Sequence, residues 1–261
     1  MSRTLDPRRM GGVARLYGES GAERLAASHV VVVGLGGVGS WAVEALVRSG
    51  VGRLTLIDGD CVEASNTNRQ LPAIDPEYGR AKAEVLAERC RRIHPDCDVR
   101  AVVSFVTTEN VSTVIPLCDW VVDCIDDLTA KAVLCAEMKK IGRSLIVAGG
   151  AGGKVDPGFV TVDDLARAKG DALTSKLRTM LRKQYGFPKG RADGRSEPFG
   201  IPCVYSSEPL RQPEAANNEA IGAAPGVRIG FGSSATVTGT VGLRAASLVV
   251  NAIAFADGQS R

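Results

Sequence analysis

His29-Val30-Val31-Val32-Val33-Gly34-Leu35-Gly36-Gly37-Val38-Gly39 decides the fold. The run before Gly34 is almost all valine, as expected of a short strand buried on both faces. Glycines follow at once, and Ser40–Ser49 continues in a helical pattern. A glycine-rich turn between a strand and a helix lets backbone N–H groups approach a phosphate at the positive end of the helix dipole. Gly34, Gly36, Gly37 and Gly39 are therefore read as nucleotide-binding. Asp58 stands nineteen residues beyond Gly39, at the end of a second strand, Arg53–Ile57. Its carboxylate can accept both hydroxyls of a ribose. That spacing serves NAD as well as ATP, so it fixes a fold and a nucleotide but not a reaction.

Outward from this core, strand-like and helix-like segments alternate. Gly79–His94 reads as an amphipathic helix that stops before Pro95. Asp98–Val103, Trp120–Asp123 and Ser144–Ala148 read as strands, and Ala130–Ile141 as a helix. The pattern predicts an α/β, Rossmann-like, mostly parallel sheet with helices on both faces. Beyond it, Thr161–Asp164 opens a helical pattern that continues to about Tyr185. Phe187–Arg228 holds six of the twelve prolines and little periodicity, which suggests a functional loop or disorder. Ser233–Ala256 closes the sequence as an apolar helix. We expect a single unit over 1–261, with a helical arm at 1–28, a nucleotide-binding core at 29–160 and a helical and loop extension at 161–261.

Composition narrows the class. The 261 residues are 44% hydrophobic and 23% charged, which excludes global disorder and a coiled coil. A net charge of +3 permits a nucleic-acid partner without demanding one. Seven irregularly spaced cysteines make a poor disulfide framework and suggest reduced thiols in a cytoplasmic protein. The polar, basic opening does not read as a signal peptide. The most apolar stretch, Ile229–Ala256, contains Arg244 and several Ser, Thr and Gly. It suits a buried helix better than a membrane span. Left exposed, it would suggest contact with a membrane surface.

Three further motifs carry chemistry. Asp58 is followed by Gly59-Asp60 and then by Asn66-Thr67-Asn68-Arg69-Gln70. A dinucleotide enzyme has no need of such a polar, cationic cluster, whereas a triphosphate does. The planar fork of Arg69 suits phosphate oxygens, and Asn66, Asn68 and Gln70 are candidates to orient them. Lys82 is the natural second phosphate cation. Asp123-Cys124-Ile125-Asp126-Asp127 ends a strand, where open α/β sheets bind ligands. Asp126 there suits a water-bound magnesium ion, and Asp127 is equally suited to capping the next helix. Finally, Lys176, Arg178, Arg182, Lys183, Lys189, Arg191 and Arg195 face one acid, Asp193, for a local charge of seven minus one, or +6. Such a strip makes a phosphate footprint on RNA. With Gly150, it forms the candidate RNA-binding set; the Gly149–Gly153 turn has room for a flipped nucleotide.

The combination of Gly34–Gly39, Asp58, Asn66–Gln70, Lys82 and Asp126 resembles the adenylating enzymes of the ubiquitin-activating (E1-like) superfamily. The resemblance implies ATP bound with magnesium, attack of a carboxylate on the α-phosphate, and release of pyrophosphate. It implies catalytic roles for Arg69, Lys82 and Asp126. It also implies that Arg15, within Ala14-Arg15-Leu16-Tyr17-Gly18, reaches across a homodimer to the partner's ATP.

From about Arg8 to the C-terminal helix the sequence resembles the tRNA threonylcarbamoyladenosine dehydratases. The resemblance rests on Ala14–Gly18, Gly37–Trp41, Thr67–Gln70, Gly149–Gly153 with Asp156-Pro157, and Cys203–Glu208. It implies ATP-dependent cyclisation of threonylcarbamoyladenosine at tRNA position 37, with net loss of water. A cysteine desulfurase partner and a bound monovalent cation, potassium or sodium, are further implications. Bacterial enzymes that adenylate sulfur-carrier proteins usually hold zinc through two CxxC pairs. No CxxC occurs here, so no zinc is expected. A zinc-free carrier adenylyltransferase and a sulfur-acceptor adaptor remain the alternatives. Cys203 reads either as a sulfur-accepting thiol or as a packed one.

Overall fold

The computed structural model describes residues 5–190, 196–211 and 231–256. Among them, seven strands form one sheet: β1 (His29–Val33), β2 (Arg53–Ile57), β3 (Asp98–Val102), β4 (Trp120–Asp123), β5 (Ser144–Ala148), β6 (Val160–Asp164) and β7 (Pro202–Ser206). Their spatial order is β3-β2-β1-β4-β5-β7-β6. Every neighbouring pair is parallel except β6 with β7. The described helices are α1 (Pro7–Ala27), α2 (Gly39–Arg48), α3 (Lys82–Ile93), α4 (Val111–Val114), α5 (Leu128–Lys140), α6 (Ala172–Gln184) and α7 (Ala235–Ala254).

The valine run explains the layers. Side chains alternate across a strand, so Val30 and Val32 join one core with Leu46, Leu86 and Val241. Val31 and Val33 join the other with Leu134 and Leu177. The sheet therefore has α2, α3 and α7 on one face and α5 and α6 on the other. α7 is long and apolar enough to cross a membrane. It is instead a core helix, packed closely on α2. A Cβ at Gly242 would lie 2.3 Å from the Val38 carbonyl oxygen, and one at Gly239 would touch the Trp41 ring. The first half of α1 meets the second at a kink, where Gly18 has φ 74°.

Three sequence expectations need correction. The helix read from Thr161 to Tyr185 is two elements, strand β6 and helix α6. Val160, Thr161 and Val162 are β-branched, and their backbone groups pair with Pro202–Ser206. The N-cap of α6 is Asp171, whose side chain accepts from Thr174 N–H. The proline-rich stretch 187–228 contains β7, so β6 and β7 complete the sheet begun by the segment 29–160. Lastly, the helix expected from Gly79 starts at Lys82, because Ala81 forms a bridge to Cys61.

Candidate nucleotide and substrate cleft

Strand order reverses between β1 and β4, and ligand crevices open outside the carboxyl ends of strands at such points. Here the crevice is a cleft of about 930 Å³. The turn after β1 forms one wall. Gly34 has φ +83°, and a Cβ on it would lie 2.8 Å from the Cys124 backbone. The two loops at the switch point can therefore approach closely only with glycine there. A Cβ at Gly39 would sit 1.8 Å from the Gly34 oxygen, so that glycine closes the turn from within.

Asp58 pins this wall. One carboxylate oxygen accepts from Leu35 N–H at 2.6 Å and the other from Asp60 N–H at 2.8 Å. Burial pushes the Asp58 carboxyl above its ordinary range, against these two bonds and the nearby Lys82 ammonium. Asp58 is among the residues that line the cleft. Lys82 opens α3 and is 6% exposed at the side chain; its Nζ bonds Asp60 at 2.9 Å.

The Asn66–Gln70 segment forms the next wall. Asn66 is buried and accepts from Glu63 N–H at 3.2 Å, so its oxygen serves the local turn. Arg69 is held by its backbone, whose carbonyl accepts from Trp41 Nε1 at 3.1 Å. Its Nη1 donates to Ser65 O at 3.0 Å and Asn68 Oδ1 at 2.8 Å. Among the described residues its Nε and Nη2 make no bond. Gln70 is buried beside Gly36, with its Oε1 lacking a hydrogen-bond partner among the described residues.

Asp126 lines the cleft and is exposed. Asp127 caps α5, accepting from Ala130 N–H at 2.8 Å. Beneath this loop lies a buried pair that sequence reasoning missed. Lys131 Nζ is 2.9 Å from Asp123 Oδ1, and both side chains are 0% exposed. Asp123 Oδ1 also accepts from Ile125 N–H at 3.0 Å, while Oδ2 has no partner among the described residues. Burial pushes the Asp123 carboxyl up. For Lys131 burial opposes the charge, but the carboxylate's attraction and hydrogen bond outweigh it and hold the ammonium above its usual range.

The opposite end of the cleft is glycine-lined, with Gly149, Gly150 and Gly152 joined by Leu173 and Phe231. Gly150 N–H donates to Asp171 Oδ2 at 3.0 Å, and Lys154, itself buried, stands 3.5 Å from the same oxygen. Most sequence-predicted nucleotide residues are thus brought to one cleft: Gly34, Gly36 and Gly37, Asp58 and Asp60, Asn66, Asn68, Arg69 and Gln70, Lys82 and Asp126. Gly39 shapes the turn without lining it, and Arg15 lies on the exposed side of α1, outside its own cleft.

The cationic strip divides. Arg178 and Arg182 are half-buried. Arg178 donates to the Ala168 carbonyl. Arg182 donates to Pro188 O at 3.1 Å and lies over the Phe199 ring. Both therefore brace the fold rather than standing free. Lys176, Lys183 and Lys189 are exposed, and Arg191 and Arg195 lie outside the described residues. Cys203 is fully buried in β7, where burial pushes its thiol up. It is a packed thiol. Cys61 is the exposed cysteine, at the cleft rim.

Sheet order, the glycine turn, and a cleft holding Arg69 and Lys82 among several carboxylates are those of a nucleotide-binding α/β protein. The ThiF family profile matches residues 8–258. The tRNA threonylcarbamoyladenosine dehydratase of Escherichia coli is 43% identical over 247 residues, 92% of this chain and 91% of that protein. Its counterpart in Haemophilus influenzae is 40% identical, over 93% of this chain and 92% of that protein. The crystal structure of the E. coli enzyme in complex with ATP matches with a TM-score of 0.86 at 41% identity, covering 99% of this chain and all of that one. The chain therefore belongs to the ThiF family and, within it, to the tRNA threonylcarbamoyladenosine dehydratases.

Proposed function

We propose that this protein is an ATP-dependent dehydratase acting on threonylcarbamoyladenosine at position 37 of tRNA. The threonyl carboxylate attacks the α-phosphate of ATP and releases pyrophosphate. The neighbouring carbamoyl group then attacks the activated carbonyl, AMP leaves with the carboxylate oxygen, and a ring closes. One observation carries this reading: the phosphate-binding turn and the glycine-lined end belong to one continuous cleft. The volume is at the upper end for a single small-ligand site, so it accommodates a nucleotide with a second ligand beside it.

Each residue then has a task. The Gly34–Gly39 turn presents backbone N–H groups to the phosphates. Asp58 accepts the ribose hydroxyls. Arg69 and Lys82 offset charge that grows on the phosphates during attack. Among the described residues no three of His, Cys, Asp and Glu gather as a metal site. Magnesium held by one carboxylate and phosphate oxygens needs no such cluster, and Asp126 would supply that carboxylate. Bound there, the ion would neutralise phosphate charge. Lys176, Lys183 and Lys189 are the exposed cations available to the tRNA backbone. The protein would work in the cytoplasm, where its substrate is found.

Arg15 is exposed and does not line its own cleft, and in this scheme it would serve the partner's site in a homodimer. Arg15→Ala is expected to lower turnover on the order of ten- to hundredfold, with a smaller change in ATP affinity. Mixing it with an Arg69→Ala variant should recover part of the activity, since a mixed dimer keeps one intact site. Wild-type turnover by the Arg15 variant would remove the in-trans role.

The direct test uses purified protein, ATP and magnesium, with tRNA that does or does not carry threonylcarbamoyladenosine. AMP release should depend on the modified tRNA, and the digested nucleoside should be lighter by the mass of one water. ATP turnover only with a glycine-tailed carrier protein would overturn the reading.

A further inference from the structure

The cleft carries an exposed aromatic ring at each end. Phe105 is 61% exposed and lies over Gly59, next to the ribose-binding Asp58. Phe231 is 46% exposed and lines the glycine-rich end. Large apolar side chains left in water inside a cleft suit a ligand with a flat apolar face. The reaction proposed above brings two adenine rings together, one from ATP and one from tRNA. The Asp58 end accounts for the first ring, leaving Phe231 for the second.

Phe231 is anchored for such a role. Gly153 N–H donates to Gly232 O at 2.7 Å, and Asn68 Nδ2 donates to Ser233 O at 2.8 Å. The 231–233 segment is thereby stitched to the glycine turn on one side and to the segment bearing Arg69 on the other. A Cβ at Gly152 would lie 3.2 Å from Phe231 Cβ, so the bare backbone there lets the ring sit close to the floor. The floor itself is fixed by the Gly150–Asp171 bond and the buried Lys154.

We propose that Phe231 is the stacking platform for the modified adenine of tRNA, with Leu173 and the Gly150–Gly152 turn completing its seat. The proposal rests on the dehydratase reading and names how that site holds its substrate. Sequence-specific RNA recognition commonly splays a base out and stacks it on an aromatic side chain. The substituted edge of the base then faces the middle of the cleft, where Arg69 and the phosphate turn lie. α6 extends the same line outward. Leu173, Lys176 and Lys183 are spaced by three and seven residues, which puts them on one helix face. Exposed lysines thus lead from the seat toward the flanking RNA phosphates.

The test compares wild type, Phe231→Ala and Phe231→Tyr in the AMP-release assay, varying modified tRNA at saturating ATP. Loss of one base–aromatic stack corresponds to about a 5- to 150-fold weakening. The alanine variant should therefore raise KM for tRNA by about that factor, with unchanged ATP affinity and little change in Tm. Tyrosine, which keeps the ring, should restore wild-type KM. In equilibrium binding, the wild-type preference for a modified over an unmodified anticodon stem-loop should shrink in the alanine variant. An unchanged KM, or an equal loss of ATP affinity, overturns the seat while leaving the dehydratase reading intact. A wild-type protein indifferent to modified tRNA overturns that reading, and the seat with it.

Discussion

Replacing Lys131 with methionine is expected to destabilise the protein by about 3–5 kcal/mol, lowering Tm on the order of 10 °C. The cause is the carboxylate left behind. Asp123 and Lys131 are both 0% exposed, and their contact is 2.9 Å. Removing the ammonium leaves a buried charge with no cation, whereas removing both charges does not. Lys131→Met combined with Asp123→Asn should therefore recover most of the loss, since asparagine still accepts from Ile125 N–H. The pH dependence has a definite sign. Burial already pushes the Asp123 carboxyl above its ordinary value, and losing Lys131 pushes it further. In the variant the folded state then keeps a proton that the unfolded state has released. Stability of the variant relative to wild type falls as pH rises from the unfolded carboxyl value through the folded one. Urea midpoints for wild type, single and double variants at mildly acid and mildly alkaline pH would show this. A single variant as stable as wild type at both pH values would mean that Asp123 and Lys131 are not held as an ion pair in the folded protein.

The two halves of the cleft differ in how far the sequence revealed them. On the side we assign to the nucleotide, the candidate residues are local in the chain. Gly34 to Gly39 form a turn between adjacent elements, and Asp58 ends the next strand, so residue type and spacing already imply a shared crevice. The side we assign to the substrate is assembled over long separations. Phe231 reaches the Gly149–Gly153 turn through the Gly153–Gly232 bond, and the Arg69 segment through Asn68 and Ser233. No periodicity encodes such a junction. Lys131 was illegible for another reason: a lysine on a helix is usually solvated, and only the fold reveals that α5 turns this one inward onto Asp123. The same limit applies to the cationic strip, where Lys176 is solvent-facing but Arg178 and Arg182 bind carbonyls. Composition counts charges and cannot separate those two fates. β6 ends in Asp163 and Asp164, residue types that also precede helices. Asp164 instead accepts backbone bonds from Phe199, Gly200 and Ile201, which tie β6 to the segment entering β7.

Arg69→Ala is expected to lower the rate of AMP release with modified tRNA by about 10²–10³ at saturating ATP, the scale of losing one preorganised charge donor. Two cations line the cleft, and they are not equivalent. Lys82 shares its ammonium with Asp60 at 2.9 Å, so part of its field is already spent locally. Arg69 has no carboxylate partner among the described residues. Its Nη1 is held by Ser65 and Asn68, and its backbone by Trp41. That leaves Nε and Nη2 fixed in direction and free to bond. A donor held this way costs little reorganisation as charge builds on the transferring phosphate. The loss should then fall mainly on turnover, with a smaller change in ATP affinity, because the transition state carries more charge there than bound ATP. Arg69→Lys should recover only part of the rate, since an ammonium cannot reproduce the planar fork. The substitution lies at the cleft surface, so Tm should stay near wild type. If Arg69→Ala turns over like wild type, charge stabilisation in this cleft must come from Lys82 and the backbone turn, and the arginine serves only to hold Asn68 in place.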